Sequence, residues 1–190
     1  MKKIIIITLF LAGSLSAQTL IDSYPESNYS VEFTHLRSTL PIAGQSFIGN
    51  GYTLTSAKFY IFKTGVVSGS VFAQIYAHTG TYGTSSKGTG DILVESEPVN
   101  VSTISGSLSL VTFTFSTPYT LQNGTYYITA LSYSGTDGIY MGADNTSPSH
   151  AGNTSLNADA TWYSYSGYDL IFYIYGTAPS ATFVPIISID

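Results

Sequence analysis

Between Asp137 and Asp169 the chain concentrates the side chains best suited to recognising a ligand. Carboxylates, amides and a histidine (Asp144, Asn145, His150, Asn153, Asn157, Asp159) lead into the single tryptophan, Trp162, and then Tyr163, Tyr165, Tyr168 and Asp169. Aromatic rings stack on apolar ring faces, while a few placed polar groups fix hydroxyls, so this mixture fits a carbohydrate. The expected ligand-binding set is Trp162, Tyr140, Tyr163 and Tyr165 as platforms, with Asp144, Asn145, His150 and Asp169 as polar partners. A plainer reading competes with it: a lone tryptophan in a β-sandwich is commonly core, and abundant tyrosines commonly cover strand surfaces.

The same stretch offers oxygens from Asp137, Asp144, Asn145, Asp159 and Asp169, and a structural calcium takes six to eight oxygen ligands. No EF-hand or repeat spacing organises them, so solvated loop carboxylates are the stronger expectation and no cofactor is required.

Catalysis finds little support. His35, His78 and His150 are the only histidines, none sits in an HExxH pattern, and there is no GxSxG elbow. Carboxylates about 5–10 Å apart would suit glycoside hydrolysis, but many Asp pairs meet that spacing by chance. The expectation is a protein that is not an enzyme.

Asn28, Asn100, Asn123, Asn145 and Asn153 stand in N-x-S/T sequons, which arise readily in so Ser- and Thr-rich a chain.

Composition narrows the partners. Lys2 and Lys3, the apolar run Ile4–Ala12 and the small residues Ser14–Ala17 have the pattern of a secretory leader cleaved after Ala17. That run is about half the roughly 20 residues a membrane span needs, so no span is expected after cleavage. Without the leader, four cations (Arg37, Lys58, Lys63, Lys87) face eleven carboxylates, a formal charge of −7. Four scattered cations cannot build the basic patch that nucleic acid or an anionic membrane surface requires. With no cysteine there is no disulfide, thiolate metal site, cysteine nucleophile or lipoprotein anchor. The expected compartment is extracellular or cell-surface, with the periplasm as the other.

The elements that must position these residues read as strands. At 190 residues the chain is one domain of ordinary size. Val31–Leu36 alternates as an edge strand. Further strands are expected at Gly44–Gly49, Tyr52–Lys63, Ser70–His78, Asp91–Val101, Leu108–Phe115, Thr125–Tyr133, Ile139–Ala143, Ala160–Tyr163 and Tyr168–Tyr175. Asn50-Gly51, Asn123-Gly124, Asp137-Gly138 and similar pairs mark turns, and Thr79–Gly90 reads as a long exposed loop. In Ser70–His78 the face carrying Val71, Ala73, Ile75 and Ala77 is the core candidate. No apolar stripe recurs at helical spacing. The fold class is all-β, an antiparallel β-sandwich of jelly-roll-like form. Its organisation is a leader (1–17), an N-terminal segment or edge strand (18–43), the sandwich (44–176) and a C-terminal tail or last strand (177–190).

Gln45-Ser46-Phe47, Tyr52–Tyr60, Val71–Tyr76 and above all Phe115-Ser116-Thr117-Pro118-Tyr119-Thr120-Leu121-Gln122-Asn123-Gly124-Thr125-Tyr126-Tyr127 carry a family resemblance. The chain from about Gly44 to Gly176 resembles the secreted jelly-roll-like modules often called choice-of-anchor domains, found on bacterial surface and phage-associated proteins. The resemblance implies a β-sandwich of carbohydrate-binding-module-like architecture without catalytic residues. The chain departs from that pattern in having no lipobox cysteine.

Two functions follow as expectations. The first is a secreted non-catalytic module binding extracellular carbohydrate, with exposed aromatics on one face. The alternative is a structural or adhesive cell-surface or phage-associated protein working through protein contacts, with Trp162 buried and an exposed edge or tail, such as Phe183–Ile189, available for strand addition.

Overall fold

Alternation at a period of two builds two antiparallel sheets. The computed structural model describes residues 17–135 and 138–179. The cleavage site's leader, the Phe183–Ile189 tail and Asp137 lie outside the described residues. The strands in chain order are β1 (Thr19–Tyr24), β2 (Val31–Leu36), β3 (Ile42–Ile48), β4 (Thr53–Lys63) and β5 (Ser70–Thr79). They continue with β6 (Lys87–Glu95), β7 (Val99–Asn100), β8 (Ser109–Thr114), β9 (Tyr126–Ser132) and β10 (Ile139–Asp144). The last are β11 (Thr154–Ala158), β12 (Thr161–Tyr165), β13 (Asp169–Leu170) and β14 (Phe172–Thr177). Among the described residues no helix is long and apolar enough to cross a membrane.

The first sheet is organised on β4. Residues Ser56–Ile61 pair with β8 on one edge, while Thr53–Phe59 pair with β14 and Ile61–Lys63 with β10 on the other. β1 lies beyond β14, and β2 and β13 flank β10. The second sheet runs β12-β11-β3-β9-β5-β6, with β7 beside the start of β5. From β3 onward the chain repeatedly crosses between the sheets, which makes them one antiparallel β-sandwich. Phe47, Phe59, Ile75, Phe113 and Phe172 are fully buried between the sheets. Each such side chain contributes about 1.5–3 kcal/mol of apolar burial.

The second sheet also curls back on itself until its edge strands meet. A Cβ placed on Gly88 of β6 would stand 2.5 Å from ring carbons of Trp162 on β12. Tyr76, Ile128 and Ala130, with Ile42 and Trp162 against them, form a small second core inside this roll.

The roll explains several departures from expectation. Val71, Ala73 and Ile75 face the main core as expected, yet Gln74 and Tyr76 on the opposite face are buried too, because that face lines the roll. Lys87–Gly90, expected as loop, is the start of β6, and the expected strand Asp91–Val101 is interrupted around Pro98. The weakly patterned β1 and β11 are full ladder members, held by their neighbours rather than by strong alternation. Of the two readings of residues 18–43, an N-terminal segment or an edge strand, β1 and β2 take the second, as edge strands of the first sheet, and β3 starts in the second sheet.

Candidate functional site: an aromatic lip joining the two sheets

The hairpin linking β11 to β12 turns through Asp159 (φ 49°) and Ala160 (φ 60°), both left-handed, as a two-residue type I′ connection requires. The pleat then sends Trp162 and Ser164 to one face of β12 and Thr161, Tyr163 and Tyr165 to the other. Trp162 enters the roll, half-buried, with its ring edge-on to Tyr76 at 5.2 Å. Tyr163 and Tyr165, roughly 6.7 Å apart along the strand, pair with Leu156 and Thr154 and emerge at the open side of the sandwich. They are 49 % and 37 % exposed. Across this opening Phe33 of β2 meets Tyr165 edge-on at 5.6 Å and Tyr168 at 5.0 Å. Rings from both sheets thus form one aromatic lip.

A buried polar cluster holds the lip in place. Gln45, fully buried on β3, accepts hydrogen bonds from Thr154 Oγ1 (2.9 Å) and Leu170 N (3.0 Å). Its amide nitrogen donates to Asp169 Oδ1 (2.8 Å) and to His150 Nδ1 (3.2 Å). These four bonds use both ends of the amide. The other oxygen of Asp169 accepts from His150 N at 2.9 Å. Because Nδ1 of His150 also accepts from Gly152 N (3.0 Å), this network assigns the ring proton to Nε2, which faces Asp22 Oδ1 at 3.2 Å. Tyr168 O receives Thr154 N at 3.2 Å, so the cluster fixes the residue that closes the lip.

A second network anchors the neighbouring loop. Asp144 Oδ2 accepts from Tyr24 Oη (2.8 Å), and Oδ1 accepts from Ser30 Oγ, Thr146 N and Thr146 Oγ1, each at 2.9 Å. Burial alone would raise this carboxyl's pKa, but these donors outweigh it and hold the group well below the ordinary carboxylate range. For Asp169 the balance is reversed: burial raises its pKa, and the bonds from Gln45 and His150 N offset only part of that rise.

The structure therefore divides the expected set. Tyr163 and Tyr165 come together at the lip, and Asn145 is exposed on the loop after β10. Tyr140 lies on the outer face of the first sheet, stacked on Phe62 at 5.0 Å, and Trp162 lies in the roll. Asp144 and Asp169 are 3 % and 1 % exposed and the His150 side chain 8 %, so these three hold loops instead of presenting atoms to a ligand. Asp144 at the end of β10, Asp169 at the start of β13 and His150 in the loop between β10 and β11 turn inward and accept from loop N–H groups of Thr146, His150 and Gly152. Tyr168, part of the ligand-suited stretch though not of the expected binding set, closes the lip, and Phe33 completes it without having been expected there; the alternation in β2 was the available signal for Phe33. Gln45 carried no sequence signal for its central place.

Among the described residues no group of three or more His, Asp or Glu side chains is arranged to hold a metal ion. No enclosed pocket opens among them either. No protein-family model matches the chain, and no curated protein is similar to it in sequence.

Proposed function

We propose that this protein is an exported, non-catalytic module that binds neutral extracellular polysaccharide across the aromatic lip. The observation that carries this reading is the pair Tyr163 and Tyr165, exposed on one face of one strand and continued by Phe33 and Tyr168 across the sandwich opening. Rings held by a rigid ladder lose little freedom on stacking against a sugar. The charge balance points to a neutral chain, since four cations against eleven carboxylates repel sulfated or uronic-acid-rich glycans. The resemblance to choice-of-anchor modules agrees with this reading.

The test is retardation of the chain from Gln18 onward in gels containing neutral polysaccharides, beside Tyr163→Ala, Tyr165→Ala and the double variant. Retardation that falls in each single variant and disappears in the double supports the lip. Retardation untouched in the double variant, or none on any neutral polysaccharide, overturns it and favours the adhesive alternative.

A further inference from the structure

Tyr82, in the turn between β5 and β6, and Tyr126, at the start of β9, stack with ring centroids 4.4 Å apart and planes 15° from parallel. Tyr126 is 42 % exposed, so a surface oxidant reaches one member directly. His78 packs against both rings, at 5.4 Å from Tyr126 and 6.2 Å from Tyr82.

The turn carrying Tyr82 is tied down. Ser85 N donates to Thr81 O at 2.8 Å, Thr81 N to Ser85 Oγ at 2.9 Å, and Ser86 N to Asn153 Oδ1 at 3.2 Å. Gly80 (φ 88°) and Gly83 (φ 75°) permit its sharp path, and a Cβ on Gly83 would stand 2.4 Å from Ala151 O. The rings are thus held face to face by the fold before any reaction. Burial, then the charge of Asp22, raises the pKa of Tyr82, so at neutral pH it remains a phenol and an electron leaves it together with the proton.

We infer that Tyr82 and Tyr126 are a site of oxidative cross-linking, forming a dityrosine within one chain. Each phenol loses one electron and one proton, and the two ring radicals join through carbons ortho to their hydroxyls. The hydrogen on each joined carbon then moves to the phenol oxygen as the rings recover aromaticity. The oxidant is a peroxide acting through a haem peroxidase: one hydrogen peroxide takes the two electrons and two protons and becomes two waters. The product is two hydrogen atoms lighter. It joins the β5–β6 turn to β9 in a chain that has no cysteine and hence no disulfide. The inference does not depend on what the lip binds.

The test treats dilute protein with hydrogen peroxide and a plant haem peroxidase, then reads dityrosine fluorescence, intact mass and cross-linked peptides. The expected product is a monomer two hydrogens lighter, with a peptide containing Tyr82 joined to one containing Tyr126, in a yield independent of protein concentration. Tyr82→Phe and Tyr126→Phe keep the stack and each abolish the product, while Tyr29→Phe, at an exposed tyrosine away from the stack and the lip, leaves it intact. Cross-links that are only intermolecular, that join other tyrosines instead, or that survive in both stack variants overturn the inference.

Discussion

Trp162 occupies the space that a side chain on Gly88 would need. A methyl group at Gly88 would fall 2.5 Å from two carbons of the indole and 3.0 Å from a third, so the contact that shuts the roll depends on the missing Cβ.

Gly88→Ala therefore displaces the indole or parts β6 from β12. The expected cost is about 1–3 kcal/mol, the usual range for overpacking. Because Trp162 is the only tryptophan, its fluorescence should shift to the red as the ring meets more water. Unchanged emission together with an unchanged urea midpoint would contradict the closed roll.

Ala160 holds a left-handed conformation (φ 60°) in a hairpin position where glycine is the natural occupant. Ala160→Gly should stabilise the protein by about 1 kcal/mol, the strain released exceeding the added freedom of the unfolded chain. Thermal or denaturant unfolding measures this directly, and a loss of stability would refute the strained turn.

The two buried carboxylates give opposite pH signatures. Asp144, with its folded pKa depressed, contributes stability that is complete above its unfolded pKa of about 3.9 and is lost as pH falls below that toward the folded value. Asp169, with its folded pKa raised, makes a contribution that is complete below about 3.9 and declines as pH rises through the folded value. Urea midpoints across this range should lose their acid-side fall in Asp144→Asn and their decline above about pH 4 in Asp169→Asn. Parallel profiles for the two variants would contradict the hydrogen-bond balance described for these sites.

How much of this was visible in the residues depends on pattern. Runs of β-branched and aromatic residues bounded by turn pairs located β4, β5, β8 and β9 to within a residue or two at each end. Thr154–Ala158 and Thr19–Tyr24 lack that pattern and are strands because β3 and β14 offer them ladders. At the site, Tyr163 and Tyr165 could be read as surface rings from their spacing, whereas the inward turn of Asp144, His150 and Asp169 could not. Whether a loop carboxylate faces water or a buried amide such as Gln45 depends on strands distant in sequence. The roll was hidden for a related reason: buried on both faces, β5 and β9 show apolar weight on each side, and nothing local says that one side belongs to a second, smaller core.

The first and last strands of the described residues lie side by side, since Thr19 at the start of β1 pairs with Gly176 near the end of β14. Tension applied between those two ends runs along the direction of the inter-strand bonds, which lie perpendicular to the strands in an antiparallel pair. It therefore peels the β1–β14 ladder one rung at a time, as a zip opens, instead of shearing all rungs together. Held by its β14 end alone, with the opposing pull delivered at the lip, the molecule passes load from β14 directly into β4 and spares that seam.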